Sequence, residues 1–210
     1  MNHIKLRIAT VRDAAELLEI YAYYVGNTAI TFEYEVPTLE EFEQRICNTL
    51  EKYPYIVAER DGRIVGYAYA GKFKDRPAYQ WCVETSIYVH KDCKQQGIGK
   101  VMYEALEKIL KAQNILNLNA CIAYPIQEDE FLTKDSVHFH EKLGYRMVGE
   151  FRMCGYKANR WCNMVWMEKM IGAHVEKQPP VIWFKDLRNE HPAWTNPNVP
   201  GEFTVVARKK

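Results

Sequence analysis

Residues 90–100, "HKDCKQQGIGK", combine two glycines with three lysines between the apolar run "SIYV" and the helix-like run "VMYEALEKIL". Gly97 and Gly99 lack a Cβ, so the backbone N–H groups of this turn can approach a ligand closely. The helix that begins here adds the positive end of its dipole. This corner therefore predicts a phosphate site. The alternative interpretation is a glycine turn with a solvated basic face formed by Lys91, Lys94 and Lys100.

Two common phosphate-binding motifs do not fit this corner. The sequence contains no GxxxxGK followed by Ser or Thr, and the dinucleotide motif GxGxxG would need a glycine where Met102 stands. A different phosphate-bearing ligand is therefore expected.

The elements before the corner begin with a strand and two helices. "IKLRIAT" alternates like a strand, and Thr10 with Asp13 then predicts a capped helix. "PTLEEFEQRI" predicts a second helix, with Thr38 as its cap and Glu41 closing a capping box.

The middle of the chain predicts a hairpin followed by a βαβ unit. In "YIVAERDGRIVGYAYAG", the dipeptide Asp61-Gly62 suits a tight turn between two strands. "VETSIYV", the helical spacing from Val101 to Leu110 and "LNLNACIAY" then indicate strand, helix and strand with parallel pairing. "SVHFHEKLGY" predicts a short helix ended by Gly144, and "YRMVGEF" and "WCNMVWMEKM" predict two closing strands.

The composition changes after about residue 172. Five of the nine prolines lie in the final segment, so we expect residues 1–172 to form the domain and residues 173–210 an extended tail. Trp183, Phe184 and Trp194 indicate that this tail packs on the domain or on a partner chain.

The overall charge gives no reason to bind nucleic acid or anionic membranes. Lys and Arg total 28 against 27 Asp and Glu, a net charge of +1. No apolar stretch approaches the ~18 residues of a membrane span, and "MNHIKLRIAT" does not resemble a secretory signal. We therefore expect a cytoplasmic protein without a membrane partner.

The six cysteines lie far apart and contain no CxxC pair, so the sequence indicates neither a zinc knuckle or other metal site nor a redox pair. Free thiols are expected, most of them serving as small apolar side chains.

Several of these segments resemble a known family, the GCN5-related N-acetyltransferases (GNAT). Their motif is Arg/Gln-x-x-Gly-x-Gly/Ala, and Lys94-Gln95-Gln96-Gly97-Ile98-Gly99 matches it with lysine in the first position. "NTAITFEYEVPTLEEF", "YPYIVAERDGRIVGYAYAGKFKDRPAYQWCVETSIYV" and "FHEKLGY" look similar to its phosphinothricin acetyltransferase subgroup. The resemblance covers about residues 3–170.

The resemblance implies a GNAT fold of the mixed α/β (α+β) class, with a central, mixed, splayed β-sheet flanked by helices. It also implies acetyl-CoA as co-substrate, with pantetheine along the splayed strand and pyrophosphate on the corner. The position of the family's CoA-binding asparagine falls in the longer, acidic "IQEDEFLTKDS", where Thr133, Lys134 or Ser136 are candidate replacements. The implied cofactor-binding residues are Ile87, Tyr88, Val89, Lys94, Gln95, Gln96, Gly97, Ile98, Gly99, Lys100 and Ser136.

The same resemblance implies two catalytic residues. Glu84 matches the acidic residue used as general base, although a lone strand glutamate can simply face solvent. His140 stands where many members have a tyrosine that protonates the CoA thiolate. Imidazole can donate a proton near neutral pH, and the alternative is a histidine that only lines its helix.

For the acyl acceptor, the resemblance points to "TFEYE" and "GKFKDRPAYQW". The candidates there are Lys72, Arg76 and Tyr79, which would bind a carboxylate or phosphinate, and Phe32 and Trp81, which would form walls. The implied enzyme is an N-acetyltransferase acting on a small amine such as phosphinothricin, methionine sulfoximine or methionine sulfone. The chain reads Phe32-Glu33 where phosphinothricin enzymes tend to have Phe-Arg, which weakens the case for phosphinothricin itself.

Two other functions remain open: a non-catalytic acyl-CoA-binding module and a protein N-acetyltransferase. Subgroup members are commonly homodimers, so the resemblance implies a homodimer here as well.

Overall fold

A computed structural model describes residues 4–190 of the chain. It contains seven strands and five α-helices. The strands are β1 (Lys5–Ile8), β2 (Tyr55–Arg60), β3 (Arg63–Lys72), β4 (Cys82–Val89), β5 (Asn117–Tyr124), β6 (Arg146–Lys157) and β7 (Arg160–Met170). The helices are α1 (Ala14–Asn27), α2 (Leu39–Lys52), α3 (Ile98–Ala112), α4 (Asp135–Lys142) and α5 (Phe184–Glu190).

The local signals in the sequence have the expected structures. The N–H of Thr10 donates to the Asp13 carboxylate at 2.7 Å, just before α1. At the start of α2, Thr38 and Glu41 form a reciprocal capping box. Asp61 and Gly62 have φ angles of 53° and 78°, which suit a tight hairpin turn between β2 and β3.

The strands form one sheet in the order β1-β2-β3-β4-β5-β7-β6. Neighbouring strands are antiparallel except for β4 and β5, which flank α3 and are parallel. Only three residue pairs join β4 to β5, and the last of them is Glu84 with Asn119. The predicted mixed and splayed sheet, flanked by helices, is therefore confirmed.

Helices cover both faces of the sheet and create two apolar clusters. Helices α1 and α2 pack over a group of tyrosines from the first strands, in which the rings of Tyr55 and Tyr69 stack 4.8 Å apart. Helix α3 lies on the opposite face, where Met102, Leu106 and Ile109 are fully buried. These two clusters fix the strands that carry the candidate site.

The tail prediction needs a correction for residues 184–190, because they form helix α5 instead of extended chain. Prolines 179 and 180 precede this stretch and the next proline is residue 192, so the segment between them is free to be helical. Phe184 is completely buried, and Trp183 packs edge-on against Tyr53. Trp194, which was expected to pack as well, lies outside the described residues.

Candidate active site

The site is organised by the fork where β4 and β5 separate. Thr85 donates its hydroxyl proton to the backbone oxygen of Asn119 at 3.1 Å, directly beside the last parallel pair. Beyond this point, Ile87, Tyr88 and Val89 still pair with β3, while the edge of β4 toward β5 carries no ladder. An extended chain with amide groups can pair with that edge. This is where the sequence placed the pantetheine-binding backbone.

The glycine corner follows β4 and forms the N-terminus of α3. Gly97 caps the helix with φ 79°, a left-handed conformation that favours glycine. Gly99 also has a packing role, because a Cβ there would lie 3.0 Å from the Phe139 ring. Gly97 thus shapes the turn, and Gly99 allows α3 and α4 to pack closely.

Basic side chains surround this corner. The Lys94 ammonium lies 5.0 Å from the ring centre of Tyr24, and that of Lys91 lies 5.3 Å from Tyr23. Arg60 contacts Gln96 and also donates to the Cys93 sulfur at 2.8 Å. Arg60 was not predicted from the sequence, because it lies on β2, more than 30 residues before the motif. The cluster supplies the local positive charge that a phosphate ligand requires.

Glu84 lies on the face of the sheet opposite α3. Its neighbours Val83 and Thr85 are buried beneath α3, and side chains alternate along a strand. Burial raises the pKa of the Glu84 carboxyl, while the positive charge of Lys74 lowers it. A partly buried carboxylate with a raised pKa is suited to act as a base near neutral pH.

A cavity of about 790 Å³ lies next to the neighbours of Glu84 on this face, and Glu84 itself is not among its lining residues. Its wall includes Cys82, two residues before Glu84, and Asn119, the β5 partner of Glu84. The strands and the β3–β4 loop contribute Phe73, Lys74, Ala78, Tyr79, Trp81, Leu116, Asn117, Val148, Gly149, Phe151, Trp166 and Glu168, and the segment after β7 contributes His174, Val175 and Gln178. The cavity combines aromatic walls with a few polar groups, as small-molecule sites usually do.

The cavity contains only part of the predicted acceptor set. Tyr79 and Trp81 line it, whereas Lys72 is exposed and pairs with Asp75, and Arg76 lies outside the lining. Phe32 is also outside and packs against Gly155 of β6. Lys72, Arg76 and Phe32 therefore do not line the cavity. Their position in the sequence motif does not determine the direction of their side chains, which depends on the residues they contact in the fold.

Within the cavity, Lys74 and Trp166 are two residues that the sequence analysis did not predict. Phe73 packs edge-on against Trp166 with ring centres 5.3 Å apart, and the Lys74 ammonium lies 5.4 Å from the Trp166 ring. Lys74 was within the segment "GKFKDRPAYQW" and could have been considered. Trp166 had no local signal, since its position depends on the pairing of β7 with β5.

His140 lies on the α3 side of the fork, and its geometry argues against proton donation. Its Nδ1 must donate to the Ser136 backbone oxygen at 2.7 Å, because a carbonyl only accepts. Its Nε2 is therefore the acceptor that faces the Tyr103 hydroxyl at 3.2 Å. The ring is 3% exposed, and burial lowers its pKa to about 4. His140 is consequently neutral at pH 7 and has no proton to give from Nε2.

The long acidic loop before α4 is largely exposed and is held by polar contacts. The Asp129 carboxylate accepts from the N–H groups of Phe131 and Leu132 and pairs with Arg160. The N–H of Ala29, after α1, donates to the Phe131 oxygen at 3.0 Å. The loop thereby joins the end of α1 to the β6–β7 hairpin, at the opposite end of β5 from the cavity.

All six cysteines are unpaired, and the part of the chain from residue 4 to 190 shows no group of His, Cys, Asp or Glu arranged to hold a metal ion. Within the same range, no helix has the length and apolar character needed to cross a bilayer.

Comparison with known proteins gives a consistent result. The family profile described as "Acetyltransferase (GNAT) domain" matches residues 6–166. A phosphinothricin N-acetyltransferase of Streptomyces viridochromogenes is 34% identical over 158 residues, which cover 75% of this chain and 82% of the relative. An L-methionine sulfoximine/L-methionine sulfone acetyltransferase of Pseudomonas paraeruginosa is 30% identical, with coverages of 78% and 92%.

Solved structures agree with these matches. A crystal structure of a GNAT superfamily phosphinothricin acetyltransferase from Sinorhizobium meliloti, in complex with acetyl-CoA, superposes with a TM-score of 0.78 and 30% sequence identity. The superposition covers 88% of this chain and 97% of that structure.

Proposed function

The chain belongs to the GNAT acetyltransferase family and uses acetyl-CoA, and from that membership we propose that it acetylates the amine of a small amino-acid-like acceptor. Candidate acceptors are phosphinothricin, methionine sulfoximine and methionine sulfone, which the names of its relatives indicate. The observation that carries the proposal is the cavity that reaches the Glu84 neighbours Cys82 and Asn119 and that also contains Lys74, whose positive charge acts on the Glu84 carboxylate. The two charges complement the two ends of an amino-acid head group.

Acetyl-CoA fits the residues at the fork and the corner. The open edge of β4 at Ile87, Tyr88 and Val89 suits the amides of pantetheine. Backbone N–H groups at the N-terminus of α3, together with Lys94 and Arg60, suit its phosphates. When bound, acetyl-CoA supplies an activated thioester.

We assign Glu84 as the general base of the reaction. An amine attacks a thioester only as the neutral base, so the ammonium of the acceptor must first lose a proton. Glu84 is placed beside the cavity, and its raised pKa makes its carboxylate a stronger proton acceptor than an exposed glutamate. Lys74 then holds the acceptor carboxylate and keeps the amine close to Glu84.

We further assign His140 as a positioning residue in place of the proton donor that its motif suggested. Its Nε2 faces the Tyr103 hydroxyl, whose single proton is donated either to this nitrogen or to the Thr85 hydroxyl 3.4 Å away at the fork. Because Thr85 holds the Asn119 oxygen, this buried network keeps the base of the fork in place.

Of the two alternatives, the cavity argues against a protein acceptor. A peptide requires an open groove along a sheet edge or between elements. Here the β3–β4 loop and the segment after β7 both contribute walls, so a free small molecule fits better. A non-catalytic acyl-CoA-binding module has no need for a partly buried carboxylate with a raised pKa next to such a cavity.

The test is CoA thiol release from acetyl-CoA with a panel of phosphinothricin, methionine sulfoximine, methionine sulfone, ordinary amino acids, polyamines and a lysine peptide. We expect turnover on an amino acid or analogue and a loss of about 100-fold or more in Glu84→Gln, the range for a removed base. Glu19→Gln, at an exposed position of α1, is the control and should match the wild type. Turnover of the peptide alone, or full activity in Glu84→Gln, would contradict the proposal.

We also propose that the protein is a homodimer that uses β6 and its hairpin. β6 is an edge strand, and the exposed fractions of Met153 and Trp161 are 59% and 55%. An apolar edge of this kind is expected to be covered by another chain. Light scattering should give twice the mass of one chain, and Met153→Glu should lower it toward the monomer value. A monomeric wild type would contradict this.

The six unpaired cysteines are typical of proteins in a reducing compartment, which supports a cytoplasmic location. We retain the division into an acetyltransferase domain, residues 1–172, and an appended segment, residues 173–210, as a proposal.

A further inference from the structure

The segment between β7 and α5 is held against the end of the sheet where β4 and β5 begin. His174 is 2.8 Å from the Asn117 side-chain oxygen, at the first residue of β5. Farther along, the Trp81 indole donates to the Pro179 oxygen and the Asn114 side chain to the Pro180 oxygen, each at 2.8 Å. These contacts lie after residue 166, where the match to the family profile ends.

The fixed part of this segment forms one wall of the cavity. His174, Val175 and Gln178 line it, and the Val175 N–H donates to the Gln178 side-chain oxygen at 3.3 Å. This bond closes a small turn. The intervening Glu176 and Lys177 are exposed and do not belong to the lining.

The part of the cavity wall next to Glu84 differs from the part next to the tail. Cys82 and Asn119 line the wall next to Glu84, which the proposed reaction makes the place of the acceptor head group. Leu116, Trp81 and Val175 belong to the part of the wall near the start of β4 and β5, where the tail is attached. An amino acid whose head group lies at Glu84 therefore directs its side chain toward apolar groups and the tail.

The volume supports a large side chain. Small-molecule sites usually measure about 300–1,000 Å³ for drug-sized ligands, and this cavity has about 790 Å³. A compact acceptor such as methionine sulfone would leave much of the aromatic wall without contacts, and apolar wall area contributes binding energy only when it is covered.

We propose that residues 174–178 form the specificity wall of the acceptor cavity and that this wall selects amino acids with a large apolar or aromatic side chain. The inference rests on the proposed acetyltransferase function, whose acceptor it narrows. Val175 is the position that decides the depth of the cavity, because it is the apolar residue of this turn that lines the cavity, with 53% of its surface still exposed.

The experiment compares Val175→Trp with Lys177→Trp, which adds the same side chain two residues away on the exposed surface. For phenylalanine and tryptophan, Val175→Trp should lower kcat/KM about tenfold or more, mainly through KM, as expected when a pocket loses a few methylenes of depth. Methionine sulfone and alanine should change less than about twofold. Lys177→Trp should leave every acceptor unchanged.

Equal effects of Val175→Trp on large and small acceptors, or no effect on either, would contradict the proposal that residues 174–178 select large side chains. Calorimetric binding of phenylalanine to the CoA-bound protein separates this from failure of the proposed reaction. If the wild type binds phenylalanine without turning it over, and Val175→Trp abolishes this binding, the specificity role of residues 174–178 is supported and the proposed acetyl transfer is contradicted. Binding that Val175→Trp leaves unchanged contradicts the wall, and an absence of amino-acid binding contradicts both.

Discussion

The buried state of His140 makes stability depend on pH in a way that can be calculated. Its folded pKa is about 4, against 6.5 for an ordinary histidine. The unfolded chain therefore binds more protons between these values, so the contribution is fully present above pH 6.5 and is lost as the pH falls toward 4. Integrating the two titrations from pH 7.5 to pH 5.0 gives a loss of about 2 kcal/mol from this one residue.

Urea unfolding at pH 7.5 and pH 5.0 measures this effect as a difference between the wild type and His140→Gln. Glutamine does not titrate, so the difference in unfolding free energy should shrink by about 2 kcal/mol at the lower pH, or about 4–8 °C in Tm. His138→Gln, an exposed position on the same helix, is the control and should follow the wild type at both pH values. A difference that stays constant with pH would show that His140 can be protonated in the folded protein, and the proton-donor role would then return.

Three further changes have directions that the structure fixes. Lys74→Met removes the charge that lowers the Glu84 pKa, so the acidic limb of the kcat/KM profile should move to higher pH; an unmoved limb would mean that Glu84 is not the titrating base. Gly97→Ala, at φ 79°, should cost about 1–2 kcal/mol of unfolding free energy and weaken acetyl-CoA binding in calorimetry. Gly26→Ala, in α1 with open space around it, should cost nothing, and equal effects would refute the φ argument. Phe184→Ala should cost about 3–5 kcal/mol in urea unfolding, while a loss below 1 kcal/mol would show that α5 is not part of the core.

The fold was predictable where short sequences carry their own geometry. The Thr38 and Glu41 capping box and the Asp61-Gly62 turn specify local structure with few competing conformations, and both are present. The fork followed from the family resemblance and from the βαβ unit. Helix α5 was missed because its neighbours are rich in proline, and its stability comes from burying Phe184 in a core built by distant residues.

The site was predictable only in part, because its side chains meet through pairings that no motif records. Phe73 and Trp166 are more than 90 residues apart, and their rings pack because β5 lies between β4 and β7. The low pKa of His140 likewise comes from its burial, which includes contact with Tyr103 of another helix. A motif can name such a residue, but its chemistry depends on the groups that surround it.

The short pairing between β4 and β5 divides the sheet into two leaves. One leaf consists of β1 to β4 and the other of β5 to β7. Within the sheet, only three residue pairs between β4 and β5 form the seam that joins the two leaves. A pantetheine chain that extends this seam would act as a staple, so acetyl-CoA should slow amide exchange on both leaves at once. Binding of acetyl-CoA would then also stabilise the contact between the two halves of the sheet.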